Sequence, residues 1–205
     1  MFCTPSSLRP FSNHLPANIS HLPALNTTAT LHHSTRLPPS TSFTHALSLL
    51  HNHPLLIRLD PEYASHTPLP SNPATPDTKR YKVTDHMNAL PAGLWDTTVT
   101  FEAEMTNTED GVLWIIRAPL GLVQTTTWRC LKTGSLGAEE REGEGGGEEG
   151  KEDKGEWSLV EDVEIKANRM LVGTVRGKCE ENWRGAHAKF VAHLKDPPST
   201  AHVHA

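Results

Sequence analysis

The hydrophobic residues of this chain change their spacing in a set order. One alternating segment comes first, then a short helical stretch, then six more alternating segments, and an amphipathic helix near the end. Alternation at every second residue marks half-buried strands, and recurrence every three to four residues marks a helix. This order predicts an α+β fold: a curved, seven-stranded antiparallel sheet around a long C-terminal helix, with short helices after the first strand. A sheet that grips a helix encloses a cavity. That cavity is the one functional organ the pattern advertises.

The segments read as follows. Thr27 to Leu37 is polar and β-prone, and Pro38-Pro39 ends it. Ser40 or Thr41 is placed to cap a helix whose stripe is Phe43, Ala46, Leu47 and Leu50, stopped by His53-Pro54. Leu55 to Leu59 is a second short helix or a turn. Glu62 to Leu69 is a weak strand, and Tyr81 to Ala89 alternates. In the cleanest strand Trp95, Thr97, Val99, Phe101, Ala103 and Met105 face one way, and a hairpin loop ending in Asp110-Gly111 follows. Val112 to Leu131 reads as one long strand bent at Pro119-Leu-Gly121. Trp157 to Ala167 alternates again, Asn168-Arg169 turns, and Leu171 to Cys179 reads as the last strand. The final helix is expected from Glu180-Glu181, with Trp183, Ala186, His187, Phe190, Val191 and Leu194 on its stripe and Pro197-Pro198 after it.

Size and charge bound the function. The 205 residues suffice for one domain with tails, read as a domain over 27–195 flanked by disordered segments 1–26 and 196–205. Nine acids and three bases lie between Glu139 and Glu156, a net of −6 in a chain of −5, so the remainder is close to neutral. The Gly/Glu-rich stretch around 134–156 reads as a solvated loop. A near-neutral folded part argues against a nucleic-acid partner. No apolar run reaches the roughly 18–20 residues of a membrane span, so integral membrane association is not expected. Cys3, Cys130 and Cys179 are scattered and odd in number, which points to a reducing, cytoplasmic setting rather than a disulfide framework. No signature of a metal centre or a cofactor is present. Nothing in the sequence sets the oligomeric state, and a monomer is the working expectation.

Several motifs together carry a family resemblance. "LLIRLDP" (Leu55–Pro61), "YKVTDHM" (Tyr81–Met87), "LPAGLWDTTVTFEAEMTNTEDGV" (Leu90–Val112), "IRAPLGLVQTTTW" (Ile116–Trp128) and "LVEDVEIKANRMLVGTVRGKCEENWRGAHAKFVAHL" (Leu159–Leu194) resemble a family of filamentous ascomycete proteins classified as a domain of unknown function. The resemblance covers roughly residues 27–195 and brings no activity with it. At fold level the pattern is similar to the START-like, polyketide cyclase or pollen-allergen helix-grip superfamily. That likeness implies one strand, two short helices, six antiparallel strands and a C-terminal helix. It also implies a cavity for a lipid, sterol or polyketide-like molecule, or for a cyclase or hydratase reaction; a filled core serving protein interaction is the third option.

The candidate site residues follow from strand phase. Asp85 and Glu161 share their phases with apolar neighbours, so both are weak candidates for acid–base catalysis if those phases face the cavity. A bulge that turns them to solvent, or pairing with Arg117 or Arg176, is the plainer alternative. His86 points away from Asp85 because adjacent strand residues face opposite sides. His32-His33, His51, His53, His202 and His204 read as surface histidines, and Cys179 as packing. The expected ligand-binding set is Tyr81, Met87, Trp95, Trp114, Trp128, Trp183, His187 and Phe190, large or amphipathic side chains able to line a pocket.

Overall fold

The computed structural model describes residues 26–87, 97–135 and 155–195. The elements in chain order are β1 (Asn26–Arg36), α1 (Phe43–Leu50), α2 (His53–Ile57), β2 (Tyr63–Leu69), β3 (Thr78–Met87), β4 (Thr97–Asn107), β5 (Gly111–Ala118), β6 (Leu122–Lys132), β7 (Trp157–Asn168) and α3 (Arg169–Lys195). The seven strands form one antiparallel sheet in the order β1-β7-β6-β5-β4-β3-β2. Helices α1 and α2 carry the chain from one edge of the sheet to the other, because β1 and β2 are the two edge strands. The fold is a helix grip, with α3 packed on the sheet's inner face.

Local chemistry sets each boundary. Ser42 caps α1 through its side chain, which accepts from the His45 amide. Asn52 does the same for α2, accepting from Leu55, with Pro54 in the first turn, where a missing N–H loses nothing. Pro54 therefore starts a helix as well as following one. In β4, Phe101, Ala103 and Met105 are buried while Glu102 is exposed, as the alternation requires. Gly111 opens β5 where the backbone passes close to β6: a Cβ there would lie 1.8 Å from the Trp128 carbonyl oxygen.

Two readings of the sequence need correction, and they offset each other in the strand count. Val112 to Leu131 is not one bent strand but a hairpin, β5 and β6, joined by a 3-10 turn over Pro119–Gly121. Leu120 (φ 62) and Gly121 (φ 75) both take the left-handed conformation that reverses the chain. Leu171 to Cys179 is not a strand but the first third of α3, which begins at Arg169 rather than at Glu180. Asn168 caps it, its Oδ1 accepting from the Leu171 amide at 3.0 Å. Leu171, Val172, Val175 and Cys179 recur at helical spacing and pack on Leu31, Leu122, Val163, Ile165 and Ala167. Gly173 and Gly177 each weaken helix propensity by about 1 kcal/mol, and this packing overrides them. The acids Glu180 and Glu181 fall inside the helix and play no part at its start.

A second, larger core lies under α1, α2 and the C-terminal half of α3. Leu37, Leu50, Ile57, Met105, Leu159 and Phe190 are almost fully buried within it. The polar stretch 136–154, the two tails and Trp95 lie outside the described residues.

Candidate functional site

Between the inner face of the sheet and α3 is a cavity of about 330 Å³. Its apolar walls include Leu56 and Ile57 from α2, Val83 from β3, Phe101 from β4, Ile116 from β5 and Ala186 from α3. Asp60, Glu62, Asp85 and Glu161 reach it, and the two borne on strands, Glu161 and Asp85, differ completely in their surroundings.

Glu161, on β7, is surrounded by donors. His33 Nδ1 donates to its Oε2 at 2.9 Å, and Trp128 Nε1 donates to its Oε1 at 2.8 Å. His187 Nε2 stands 3.6 Å from the same carboxylate. His33 is stacked on Trp183 at 4.6 Å, with an interplanar angle of 6°. Thr35 Oγ1 lies 2.8 Å from His187 Nδ1. Burial by itself would raise the Glu161 pKa. The donors on His187, His33 and Trp128 outweigh it and hold the carboxyl at about 2. Glu161 is thus a fixed anion that ties β1, β6, β7 and α3 together, which removes it as a proton donor or acceptor near neutral pH.

Asp85, on β3, has the opposite setting. It is 9% exposed, it forms part of the cavity wall, and its Oδ1 has no hydrogen-bond partner. Burial, followed by the nearby Asp60 and Glu62 carboxylates, pushes its pKa up to about 7. Asp60 and Glu62 sit just before β2. Asp60 Oδ1 accepts from the Glu62 amide at 2.7 Å, and burial raises its own carboxyl pKa. Glu62 faces Lys178 of α3 at 3.0 Å. Neither Arg117 nor Arg176 serves Asp85: Arg117 lies 3.6 Å from Glu104.

The structure divides the expected ligand-binding set. Trp114, Trp128 and Trp183 line the cavity, and the Trp114 Nε1 is buried with no acceptor. Tyr81, His187 and Phe190 are not among its walls. Tyr81 packs edge-on against His53, His187 sits behind Glu161, and Phe190 is fully buried against Trp128. The Met87 side chain and Trp95 lie outside the described residues. Two histidines expected at the surface are buried: His33, and His53, whose Nε2 is 2.7 Å from Asn107 Oδ1. His86 is exposed, on the face opposite Asp85. Among the described residues no group of histidine, cysteine and carboxylate side chains is arranged to hold a metal ion.

Sequence reasoning missed Asp60, Glu62, Gln124, Lys178, Cys179 and Asn182, all of which line the cavity. Lys178 and Cys179 are hidden when Leu171–Cys179 is read as a strand, and Asn182 falls off the apolar stripe of the expected helix. Their 3.6-residue spacing with Trp183 and Ala186 was the signal that could have placed them. The Cys179 thiol is pushed up to about 12, by burial first and then by the surrounding carboxylates, so it is no nucleophile. A wider surface hollow of about 550 Å³ is lined by Arg36, Lys132–Ser135, Gly155 and Glu156.

The family model described as "Domain of unknown function (DUF7053)" matches residues 26–196. The chain belongs to the DUF7053 family. No curated protein matches the sequence. Among solved structures, the DUF7053 domain is similar to the di-domain aromatase/cyclase BexL of the BE-7585A biosynthetic pathway (TM-score 0.55, 11% identity, 83% of this chain and 51% of that one). The chain therefore spans about half the length of that protein. It is also similar to the Zhui aromatase/cyclase from Streptomyces sp. R1128 (TM-score 0.54, 6% identity, 82% and 94% covered). A third likeness is to norcoclaurine synthase from Thalictrum flavum (TM-score 0.50, 12% identity, 92% and 98% covered). At these identities the likeness establishes the helix-grip fold of the DUF7053 domain and leaves its chemistry to its own residues. No helix among its described residues is long and apolar enough to cross a membrane.

Proposed function

We propose that this domain binds or carries a hydrophobic small molecule, of the lipid, sterol or polyketide-like kind, as a cytoplasmic monomer. The observation that carries the reading is the cavity of about 330 Å³ between sheet and α3. Its size and its mainly apolar walls with a few inward polar groups suit a buried small ligand. Burial of the ligand's apolar body would supply the affinity, at about 25 cal/mol per Å² of apolar surface removed from water. The polar groups would set its orientation. The helix-grip neighbours named aromatase/cyclase and synthase support a small-molecule role over a filled core used for protein contacts.

Native mass spectrometry of the protein purified from its own host tests this reading. The expected result is a bound species that leaves on denaturation and is absent from an Ala186→Trp variant, in which an indole occupies the cavity. A protein that carries nothing, and that takes up no apolar dye in competition with added lipids or sterols, would overturn it.

Asp85 favours a second reading, a cyclase- or hydratase-type enzyme. A buried carboxyl with a pKa of about 7 is able both to give and to take a proton near neutrality. In that case Asp85→Asn would leave ligand binding in place and abolish turnover. Turnover surviving that change would remove Asp85 from any reaction.

A further inference from the structure

A partner is missing from one end of the cavity. Asp85 is 9% exposed, and its Oδ1 meets no donor. Tyr63 pairs with Asp85 across β2 and β3, and Val99 faces it from β4, so its strand neighbours bring no cation. The chain just before β2 brings two more acids, Asp60 and Glu62. From α3 come Lys178, the Cys179 thiol and Asn182, and from β7 comes Glu161. Lys178 is already engaged, at 3.0 Å from Glu62 and 3.4 Å from Glu181. Glu161 is satisfied by His33 and Trp128. Lys189 also reaches this end, but its Nζ donates to the Leu59 carbonyl at 3.0 Å. Asp60, Glu62 and Asp85 thus converge on one end, where Lys178 answers Glu62 and no donor among the described residues reaches the Asp85 Oδ1.

A buried carboxylate oxygen without a donor is unfavourable, and folded proteins seldom leave one unless something outside the chain completes it. We infer, on the reading that the cavity binds a small molecule, that this end accepts the protonated amine of an otherwise apolar ligand. Asp85 is its counter-ion, and the acidic end turns away fatty-acid-type anions. An ammonium donates to Oδ1 and offsets the charge that Asp60, Glu62 and Asp85 share. A neutral hydroxyl satisfies the oxygen but not the charge. A carboxylate adds a negative group where Asp60 and Asp85 already repel one another. Trp114 Nε1, the other buried polar atom without a partner on the cavity wall, lies opposite Met105, further along β4 from Val99. It is a donor and serves the far end of the ligand rather than the amine.

Three probes with one apolar body test the inference: 2-naphthylmethylamine, 2-naphthol and 2-naphthoate, titrated calorimetrically into protein stripped of ligand at pH 6 and pH 8. The amine is expected to bind about tenfold or more tighter than the naphthoate at pH 8, a difference of about 1.4 kcal/mol or more. Its affinity should rise several-fold from pH 6 to pH 8, because the amine stays protonated while Asp85 gives up its proton. In Asp85→Asn the pH rise should disappear and the amine's advantage over naphthoate should fall several-fold. The wild-type pH comparison needs no variant and stands if Asp85→Asn folds poorly. Naphthoate binding as tightly as the amine, or a pH rise that survives Asp85→Asn, overturns the inference and leaves the binding cavity standing. If all three probes fail to bind, the cavity reading falls and this inference falls with it.

Discussion

The two strand-borne carboxylates of the cavity, Glu161 and Asp85, have opposite fates. Glu161 gathers donors from β1, β6 and α3 and stays ionised to about pH 2. Asp85 has acids for neighbours, lacks a donor on Oδ1 and holds its proton to about pH 7. Strand phase placed both on the inner face; what surrounds each decides its chemistry. The satisfied carboxylate fastens the helix to the sheet. The unsatisfied one is a stored defect, and a ligand is what would relieve it. Stability and function thus rest on different carboxylates of one cavity.

That division can be broken at either end. The largest effect is expected behind the satisfied wall. Phe190→Ala should destabilise by about 3–5 kcal/mol in chemical denaturation, since the ring is fully buried against Trp128. A loss under about 1 kcal/mol would mean that α3 does not pack as described. Next comes Glu161→Gln, expected to cost about 3 kcal/mol because His33, Trp128 and His187 keep their donors and lose the anion. If that variant is as stable as wild type, the network is ornamental and the contrast with Asp85 collapses.

At the other end the sign reverses. Asp85 binds a proton more tightly in the folded state than unfolded, so its contribution is fully present below about pH 4. That contribution is lost as pH rises through about 7. The rise from 3.8 to about 7 corresponds to at most about 4 kcal/mol of pH-dependent stability. Asp85→Asn should therefore stabilise the protein at pH 8 by about 1–3 kcal/mol and flatten its stability between pH 5 and pH 8. Glu161 behaves in the opposite way: its contribution is present above about pH 4.5 and is lost as pH falls toward 2. Thermal melts from pH 3 to pH 9 on wild type and both variants separate the two. The smallest effect is expected from Trp114→Phe, which removes a donor without an acceptor and should shift stability by less than about 1 kcal/mol.

The parts of the fold visible in the sequence were those where periodicity and punctuation agree. In β4 the alternation of Phe101, Ala103 and Met105 runs unbroken, and Asp110-Gly111 marks the turn. The N-terminal part of α3 was hidden because Gly173, Thr174 and Gly177 are weak helix formers and β-branched valines flank them. Only tertiary packing on Ile165 and Ala167 makes that stretch helical. The hairpin at Pro119–Gly121 was hidden because its turn needs Leu120 at positive φ, a conformation that leucine does not announce. At the site, alternation found Asp85 and Glu161, and side-chain size alone singled out Trp114 and Trp128. It was blind to Asp60, Glu62 and Lys178, which converge only once β2 and α3 are in place.

A ligand lying inside the cavity is tested most directly by isotope-filtered nuclear Overhauser measurements on a bound naphthyl probe. Cross-peaks from the probe's ring protons to Phe101, Ile116, Trp183 and Ala186 are the predicted result, with the probe's polar substituent nearest Asp85. Cross-peaks confined to surface residues, such as those around Lys132 and Glu156, would contradict it.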